Sequence, residues 1–223
     1  LLSSKDAFKK DVLITDTGSV KKEVNKIFEN LNLTSISWIA SHPIAGTEES
    51  GPSSGFKDLF KDRWTIVCDA TNSNKDKVEK LKKFWEFLGS KVKSMSIEEH
   101  DHILALQSHL PHAVAYNIVK TVINTDEKFR DEIIKYSAGG LRDFTRIASS
   151  DPLMWRDIFI DNSENIIKIL DEFSKNIDDF KKAIIEKNGD KLLKIFASTK
   201  NVRKDIIQAG QDVKSPDFGR KKN

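Results

Sequence analysis

The stretch DVLITDTGS at residues 11–19 is a short, β-branched apolar run that ends in a glycine turn. Its length and composition predict a buried strand over residues 11–16. Apolar residues at three- and four-residue spacings then run from Val20 to Leu31, which predicts an amphipathic helix. A strand that leads through a tight turn into a helix is typical of an α/β layer.

The same alternation of strand and helix patterns continues along the first part of the chain. Further strands are predicted at residues 36–41, 64–68 and 91–95, and a helix at residues 75–88. A loop rich in Gly, Ser and Pro is predicted at residues 43–55. This spacing indicates parallel strands, and in such sheets ligands bind at the carboxyl ends of the strands.

From Ser96 onward the pattern is helical. Ser96 and Glu99 have the spacing of a capping box, which predicts a helix to about residue 123 with a kink at Pro111. Further helices are predicted at residues 125–136, 152–187 and 190–209.

This change of pattern predicts two domains. Residues 1–96 form an α/β domain and residues 97–223 an all-helical domain, so the fold class is α/β followed by all-α. The second domain has apolar residues at three- and four-residue spacings between Ile166 and Ile184. Such a stripe on a surface helix favours dimerisation through the second domain.

Composition and charge exclude several classes of protein. With 38% hydrophobic and 32% charged residues, the 223-residue chain is globular and neither disordered nor membrane-spanning. Its 37 basic and 34 acidic residues are interleaved, which argues against nucleic-acid binding. Cys68 is the single cysteine, so there is no disulfide framework and no cysteine-rich metal site, and a cytoplasmic location is expected.

Four clusters of polar residues stand where such a fold presents ligands. Residues 16–19 and 41–48 follow predicted strands, residues 108–112 surround the proline of the predicted helix, and residues 139–156 join two predicted helices. The first cluster can cap the next helix, whose N-terminal amides favour anions. A histidine such as His42 can exchange a proton with a hydroxyl near neutral pH, and an arginine binds a carboxylate with two hydrogen bonds.

Each cluster also has a purely structural explanation. Ser19 can be an ordinary helix cap, His42 a surface residue, and the arginines partners in surface salt bridges. Ser108 and His112 share one helix face, whereas His109 points to another side and is the weaker candidate. The order of all four clusters carries more weight than any one of them.

Taken together, the four clusters resemble the prephenate dehydrogenases of tyrosine biosynthesis. The resemblance rests on residues 16–21, 42–51, 108–112 and 139–157 and extends over most of the chain. It implies the C-terminal part of a Rossmann-type nucleotide-binding domain followed by a helical dimerisation domain. It also implies a homodimer that carries out the oxidative decarboxylation of prephenate to 4-hydroxyphenylpyruvate, with hydride transfer to NAD.

The resemblance further implies roles for individual residues. His42 would be the catalytic base that takes the proton of the substrate C4 hydroxyl, and Ser19 would orient that hydroxyl and the nicotinamide. Asp16, Gly18 and Ser19 are the expected cofactor-binding residues. The expected substrate-binding residues are Arg146, His112, Ser108, Thr47, Glu48, Asp143, Trp155 and Gly139.

Within that substrate-binding set the expected contacts differ. Arg146 would bind a substrate carboxylate, and His112, positioned by Ser108, would line the pocket near the substrate side chain. Glu48 would gate access from its loop. Asp143 and Trp155 would contribute to the pocket of the partner subunit or brace its entrance.

The N-terminal part of the chain lacks two sequence features that are typical of the family. None of its ten glycines forms the G-x-G-x-x-G turn that holds the pyrophosphate, and the acidic residue that recognises the adenine ribose is absent. We therefore expect the front of the nucleotide-binding domain to be missing from this chain. The choice between NAD and NADP stays open, because the discriminating loop belongs to that front.

Two alternative functions also stay open. An arogenate dehydrogenase uses the same chemistry on a substrate with an amino-acid side chain, and no residue here decides between the two substrates. A non-catalytic dimerisation or ligand-binding module is favoured if the natural protein begins at Leu1. A glycine-rich strand, turn and helix in the upstream coding sequence would favour the enzyme.

Overall fold

The computed structural model describes residues 8–9, 11–31, 36–46, 51–69 and 74–209. The chain divides into two compact units. Unit 1 comprises Leu1–Thr125 and Phe144–Ile167, and unit 2 comprises Asp126–Asp143 and Lys168–Asn223. The domain boundary at residue 96 stays a prediction.

The strands described in unit 1 belong to two sheets. They are β1 (Val12–Ile14), β2 (Ile36–Trp38), β3 (Ala40–Pro43), β4 (Trp64–Cys68) and β5 (Lys91–Met95). β1 pairs with β2 and β4 pairs with β5, both in parallel. The single strand predicted at residues 36–41 is therefore divided at Ile39, whose amide donates to the Ile14 carbonyl at 3.1 Å.

β3 and β4 are antiparallel, so the prediction of parallel strands is wrong at this pair. A parallel pair needs a crossover, which α1 (Lys22–Asn30) supplies between β1 and β2 and α2 (Lys75–Phe87) between β4 and β5. Between β3 and β4, the described residues contain only the short 3-10 helix Pro52–Ser54. A returning connection of this kind gives an antiparallel pair.

The two faces of the β3–β4 sheet bury different clusters. One face packs against α2 and the other against the helix that follows β5. The first cluster contains Ile39, Val67, Val78, Leu81 and Trp85. The second contains Ala40, Ile66, Cys68 and Ile97. Because side chains alternate along a strand, Ser41 shares the face of Ile39 and His42 shares the face of Ala40.

The helical part of unit 1 begins at the predicted capping box. Ser96 Oγ accepts from the Glu99 amide at 3.1 Å, and Glu99 Oε2 accepts from the Ser96 amide at 2.9 Å, which starts α3 (Ile97–Leu104). A π-helical turn, Ala105–His109, leads on into α4 (Leu110–Ile123). Pro111 is the second residue of α4 and directly follows this π-helical turn. The kink predicted at Pro111 stays a prediction.

Five further helices complete the described chain. They are α5 (Glu127–Lys135), α6 (Gly139–Thr145), α7 (Pro152–Asp161), α8 (Ser163–Ile185) and α9 (Gly189–Gln208). The single helix predicted at residues 152–187 is wrong, because the chain leaves helical geometry at Asn162. The side-chain amide of Asn162 is buried and hydrogen-bonded, which fixes the break there.

Unit 2 buries little within itself. Ala183 is the one fully buried side chain among its described residues, whereas Ile177, Ile184 and Phe196 are about half exposed. Phe180 and Phe196 make a ring contact across α8 and α9, with centroids 6.0 Å apart. None of the described helices is both long and apolar enough to cross a membrane.

Candidate active site

Unit 1 contains a cavity of about 580 Å³, a size typical of small-molecule sites. Its wall is formed by the turn after β1, by β3 and the loop after it, by the π-turn with the start of α4, and by residues 146–158. The predicted site residues that line it are Ser19, His42, Ser108, His112, Arg146 and Trp155.

His42 lies in β3 on the face turned toward α3. Its Nδ1 is 2.8 Å from Nε2 of His100, and Nδ1 of His100 is 2.7 Å from Oδ1 of Asp101. All three side chains are buried. A chain of hydrogen bonds therefore connects the cavity wall to a carboxylate inside the protein.

The environment of His42 keeps its imidazole neutral. Burial disfavours the imidazolium, and the electrostatic effects of His100 and Lys21 add to it, which lowers the pKa of His42 to about 3. The imidazole is therefore neutral at physiological pH and has one nitrogen lone pair that can accept a hydrogen bond or a proton, while so low a pKa makes it a weak base in this cavity.

Asp101 is buried and yet ionised. Burial raises the pKa of a carboxyl, but hydrogen bonds from His100 and from the amides of Lys22 and Lys21 outweigh that effect and lower the pKa of Asp101. The two amides belong to the start of α1, and each donates at 2.9 Å. Asp101 thus caps α1 while it holds His100.

A buried ion pair supports the turn that carries Ser19. The Lys21 ammonium binds the Asp16 carboxylate and donates to the Ser41 carbonyl at 2.8 Å, and burial lowers the pKa of Lys21. The Asp16 carboxylate also accepts from the amides of Gly18 at 3.0 Å and Ser41 at 3.1 Å. Both oxygens of Asp16 are therefore engaged within the protein, and its contact with a cofactor stays a prediction.

Gly18 leaves room for the Asp16 carboxylate in this turn. A Cβ atom at Gly18 would lie 3.0 Å from Oδ2 of Asp16, closer than most Cβ contacts, and the neighbouring Ser19 lines the cavity. The cofactor contacts expected of Gly18 and Ser19 stay predictions. No glycine-rich phosphate turn occurs among the residues described.

His112 and Trp155 form one wall of the cavity. Their rings are stacked, with centroids 3.6 Å apart. His112 Nδ1 donates to the Ser108 carbonyl at 2.9 Å, so Ser108 holds this ring through its backbone, and burial lowers the pKa of His112. Trp155 lines the cavity of its own chain and packs with Val20 and Ile158, and its expected contribution to the partner's pocket stays a prediction.

His109, the weaker candidate from sequence, lines the same cavity and is fully buried. Its Nδ1 lies 3.2 Å from Nδ2 of Asn162, which also donates to the Asp101 carbonyl at 2.8 Å. Burial lowers the pKa of His109 to about 4. His109 and His112 are three residues apart and therefore share one helix face, which lets both line the cavity.

Arg146 lies in the 3-10 turn Arg146–Ser149 after α6. Its side chain is exposed, lines the cavity and opposes protonation of His112 electrostatically. An exposed guanidinium beside buried neutral imidazoles suits a ligand with a carboxylate and a polar ring.

Four predicted substrate-binding residues are not in the described cavity wall. Gly139 and Asp143 belong to unit 2, where Asp143 accepts from Arg142 at 2.9 Å. Thr47 and Glu48 lie outside the described residues. The binding roles of all four stay predictions.

Sequence reasoning missed His100, Asp101 and Asn162. A signal for the first two exists, because Ile97, His100, Asp101 and Leu104 have the spacing of one buried face of α3. Two polar residues on an apolar helix face need partners inside the fold. Asn162 lies within a continuous helical pattern and gives no such signal.

No group of side chains suited to a metal ion occurs among the described residues.

Two family models match the chain in order. The nucleotide-binding domain of prephenate dehydrogenase matches residues 2–94, and the dimerization domain of prephenate dehydrogenase matches residues 96–198. The predicted fold class, part of a Rossmann-type domain followed by a helical domain, is confirmed.

Individual proteins of known name are similar over most of the chain. A cyclohexadienyl dehydrogenase of Zymomonas mobilis is 41% identical over 197 residues, which cover 88% of this chain and 67% of that protein. A prephenate dehydrogenase of Bacillus subtilis is 32% identical over 193 residues, which cover 86% of this chain and 52% of that protein. The chain thus spans about two thirds of the length of the first and about half of the second.

The crystal structure of prephenate dehydrogenase from Aquifex aeolicus, in complex with hydroxyphenyl propionate and NAD+, has the same fold. It matches with a TM-score of 0.84 at 36% sequence identity, over 91% of this chain and 70% of that chain. By sequence and by fold alike, this chain belongs to the prephenate dehydrogenase family.

Proposed function

We propose that the protein containing this chain converts prephenate to 4-hydroxyphenylpyruvate and carbon dioxide, with NAD as the hydride acceptor. The observation that carries the proposal is a neutral, buried His42 and a cationic Arg146 in the wall of one cavity. Prephenate is a diacid with a ring hydroxyl, so it needs a cation for a carboxylate and a base for the hydroxyl.

In this reaction His42 takes the proton of the C4 hydroxyl while C4 gives up a hydride. The ring carboxylate leaves as carbon dioxide, and the electron pair of the broken carbon–carbon bond completes the aromatic ring. The proton then returns from His42 to the phenol oxygen, so His42 is neutral again after each turnover. NAD, when bound, supplies the acceptor for the hydride.

The other cavity residues bind and orient the substrate. Arg146 pairs with a carboxylate, and Ser19 orients the hydroxyl at the nicotinamide end of the site. The stacked rings of His112 and Trp155 exclude water beside the substrate side chain. We extend the substrate site to Thr47, Glu48, Gly139 and Asp143, which come from the family resemblance alone.

We also propose a homodimer formed through the helical domain. The match of residues 96–198 to a dimerization domain supports it, as do the exposed apolar side chains of α8 and α9. Apolar surface of this kind is covered when a partner binds. A cytoplasmic location, expected from the single, buried Cys68, belongs to the same proposal.

The test is prephenate-dependent NADH production, measured with this chain and with an extended protein that also contains the residues encoded upstream of Leu1. Arogenate and NADP are assayed in parallel. We expect the extended protein to oxidise prephenate and this chain to be much weaker, since the phosphate turn is not among its residues. Preferential oxidation of arogenate would assign that substrate instead, and oxidation of neither would contradict the proposal.

A further inference from the structure

His42 is a competent base in one of its two neutral tautomers only. A neutral imidazole has one N–H, and its other nitrogen is the proton acceptor. Nδ1 of His42 faces His100 at 2.8 Å, whereas Nε2 has no hydrogen-bond partner among the described residues. To take a proton from a ligand in the cavity, His42 must therefore carry its own proton on Nδ1.

The carboxylate of Asp101 determines which nitrogen of His100 is protonated. An ionised carboxylate only accepts hydrogen bonds, and Asp101 already accepts from the amides of Lys21 and Lys22. Its 2.7 Å contact with Nδ1 of His100 therefore requires a proton on that nitrogen. In neutral His100 the lone pair is then on Nε2, the atom that faces His42.

We propose that His100 and Asp101 are positioning residues that hold His42 in the tautomer with its lone pair on Nε2. The proposal deepens the proposed function, since it rests on the role of His42 as the base. His42 Nδ1–H donates to His100 Nε2, and this hydrogen bond leaves Nε2 of His42 free to accept a proton. The contact thus selects the protonation pattern of the base in addition to orienting its ring.

The opposite arrangement of protons would disable the base. A proton on Nε2 of His100 would donate to Nδ1 of His42, and the His42 proton would then lie on Nε2, where it prevents acceptance. The fold disfavours this arrangement because Asp101 is held from several sides. Its carboxylate caps α1, and its backbone carbonyl accepts from Asn162 at 2.8 Å.

The first test needs no substrate. Long-range proton–nitrogen NMR on protein with nitrogen-15 in its histidine rings distinguishes protonated from unprotonated nitrogens in all five histidines. We expect His42 to be protonated on Nδ1 and unprotonated on Nε2, with His100 protonated on Nδ1. A proton on Nε2 of His42 would overturn the proposal, whether or not the protein oxidises prephenate.

A matched pair of variants in the extended, active protein tests the consequence for turnover. The amide of His100→Asn is too short to reach His42, whereas His100→Gln places an amide oxygen near the position of Nε2. We expect His100→Asn to lower kcat by about 10- to 100-fold, the range known for hydrogen-bond partners of metal-bound histidines, with little change in KM. We expect His100→Gln to recover most of that loss, because its oxygen accepts from Nδ1 of His42.

Controls separate this effect from damage to the fold. His102→Asn removes an exposed histidine of the same helix, so kcat should stay unchanged. An equal loss of kcat in His100→Asn, His100→Gln and His102→Asn, with the His42 tautomer unaltered, overturns the proposal. If the wild-type protein oxidises neither prephenate nor arogenate, the proposed function fails by itself, and the NMR measurement alone decides the tautomer.

Discussion

Units 1 and 2 bury their side chains in different ways. Unit 1 has apolar clusters on both faces of its β3–β4 sheet and encloses polar groups such as Lys21, His100 and Asp101. Unit 2 buries only Ala183 fully among its described residues, and α8 and α9 leave many apolar side chains exposed. Unit 1 therefore has an enclosed core, although it too exposes large apolar side chains such as Phe87 and Leu106. Unit 2 has almost no enclosed core and presents apolar surface that the proposed dimer would cover.

This difference explains where the chemistry lies. A buried polar group is costly unless it is hydrogen-bonded, and in unit 1 the side chains of Lys21, His100 and Asp101 all have such partners. Burial also lowers the pKa of His42 and of His109, which keeps these imidazoles neutral. No ionisable side chain described in unit 2 is buried.

The largest expected effect tests whether catalysis depends on the buried groups of unit 1. We expect His42→Asn, in the extended protein, to lower kcat by about 10²- to 10⁴-fold, the usual contribution of a general base, with a small change in KM. The oligomeric state should stay close to wild type, because unit 2 is untouched, whereas loss of the buried hydrogen bond to His100 should lower the melting temperature somewhat. Steady-state kinetics and differential scanning calorimetry measure both, and an unchanged kcat would remove His42 from the base role.

The second prediction compares one core residue from each unit. Trp85 is buried and its Nε1 donates to Ser41 Oγ at 3.2 Å, so Trp85→Ala should lower the free energy of unfolding by about 3–5 kcal/mol. Phe196 is 53% exposed, so Phe196→Ala should cost less than about 1 kcal/mol in the isolated monomer.

Measuring both variants at two protein concentrations distinguishes stability that comes from association from stability within one chain. Stability that comes from association depends on concentration, whereas stability from contacts inside one chain does not. In urea titrations at two protein concentrations, the cost of Phe196→Ala should rise with concentration and that of Trp85→Ala should stay constant. The same concentration dependence in both variants would contradict the contrast between the units.

Local features of the fold could be predicted from the sequence. The capping box at Ser96 and the strands β4 and β5 depend on neighbouring residues, and the structure has each of them where expected. The antiparallel pairing of β3 with β4 was not predictable, because strand direction depends on how the chain returns between them. The break at Asn162 likewise depends on a hydrogen bond to Asp101, 61 positions away.

The residues of the candidate site likewise fall into those that the local sequence predicts and those that it does not. His42 and His112 could be identified because each stands in a distinctive local motif. His100 could not be connected to His42, because the contact joins residues 58 positions apart and forms only when α3 packs on the sheet. The amides that hold Asp101 are about 80 positions away in sequence. Tertiary contacts of this length carry no local signal.

The third prediction tests whether association covers the apolar face of unit 2. Ile177 is 48% exposed on α8, and an aspartate there would place a charge in the proposed dimer interface. We expect Ile177→Asp to weaken dimerisation by about 2 kcal/mol, a roughly 30-fold higher Kd by analytical ultracentrifugation. Lys175→Asp, on the opposite side of the same helix, is the matched control and should leave the Kd close to wild type.

The smallest expected effect belongs to Arg146, which unit 1 leaves exposed beside the cavity. A buried charge pair at a binding site is worth about 2–5 kcal/mol when one partner is removed. Water screens an exposed arginine, so we expect Arg146→Ala to raise the KM for prephenate about tenfold, or about 1.4 kcal/mol, with kcat little changed. Arg156→Ala removes another exposed arginine, which pairs with Asp157 and does not line the cavity, and it should leave KM unaltered. Equal KM values for both variants would mean that a different cation holds the carboxylate, and a much larger rise for Arg146→Ala would mean that substrate binding buries this side chain as deeply as His42.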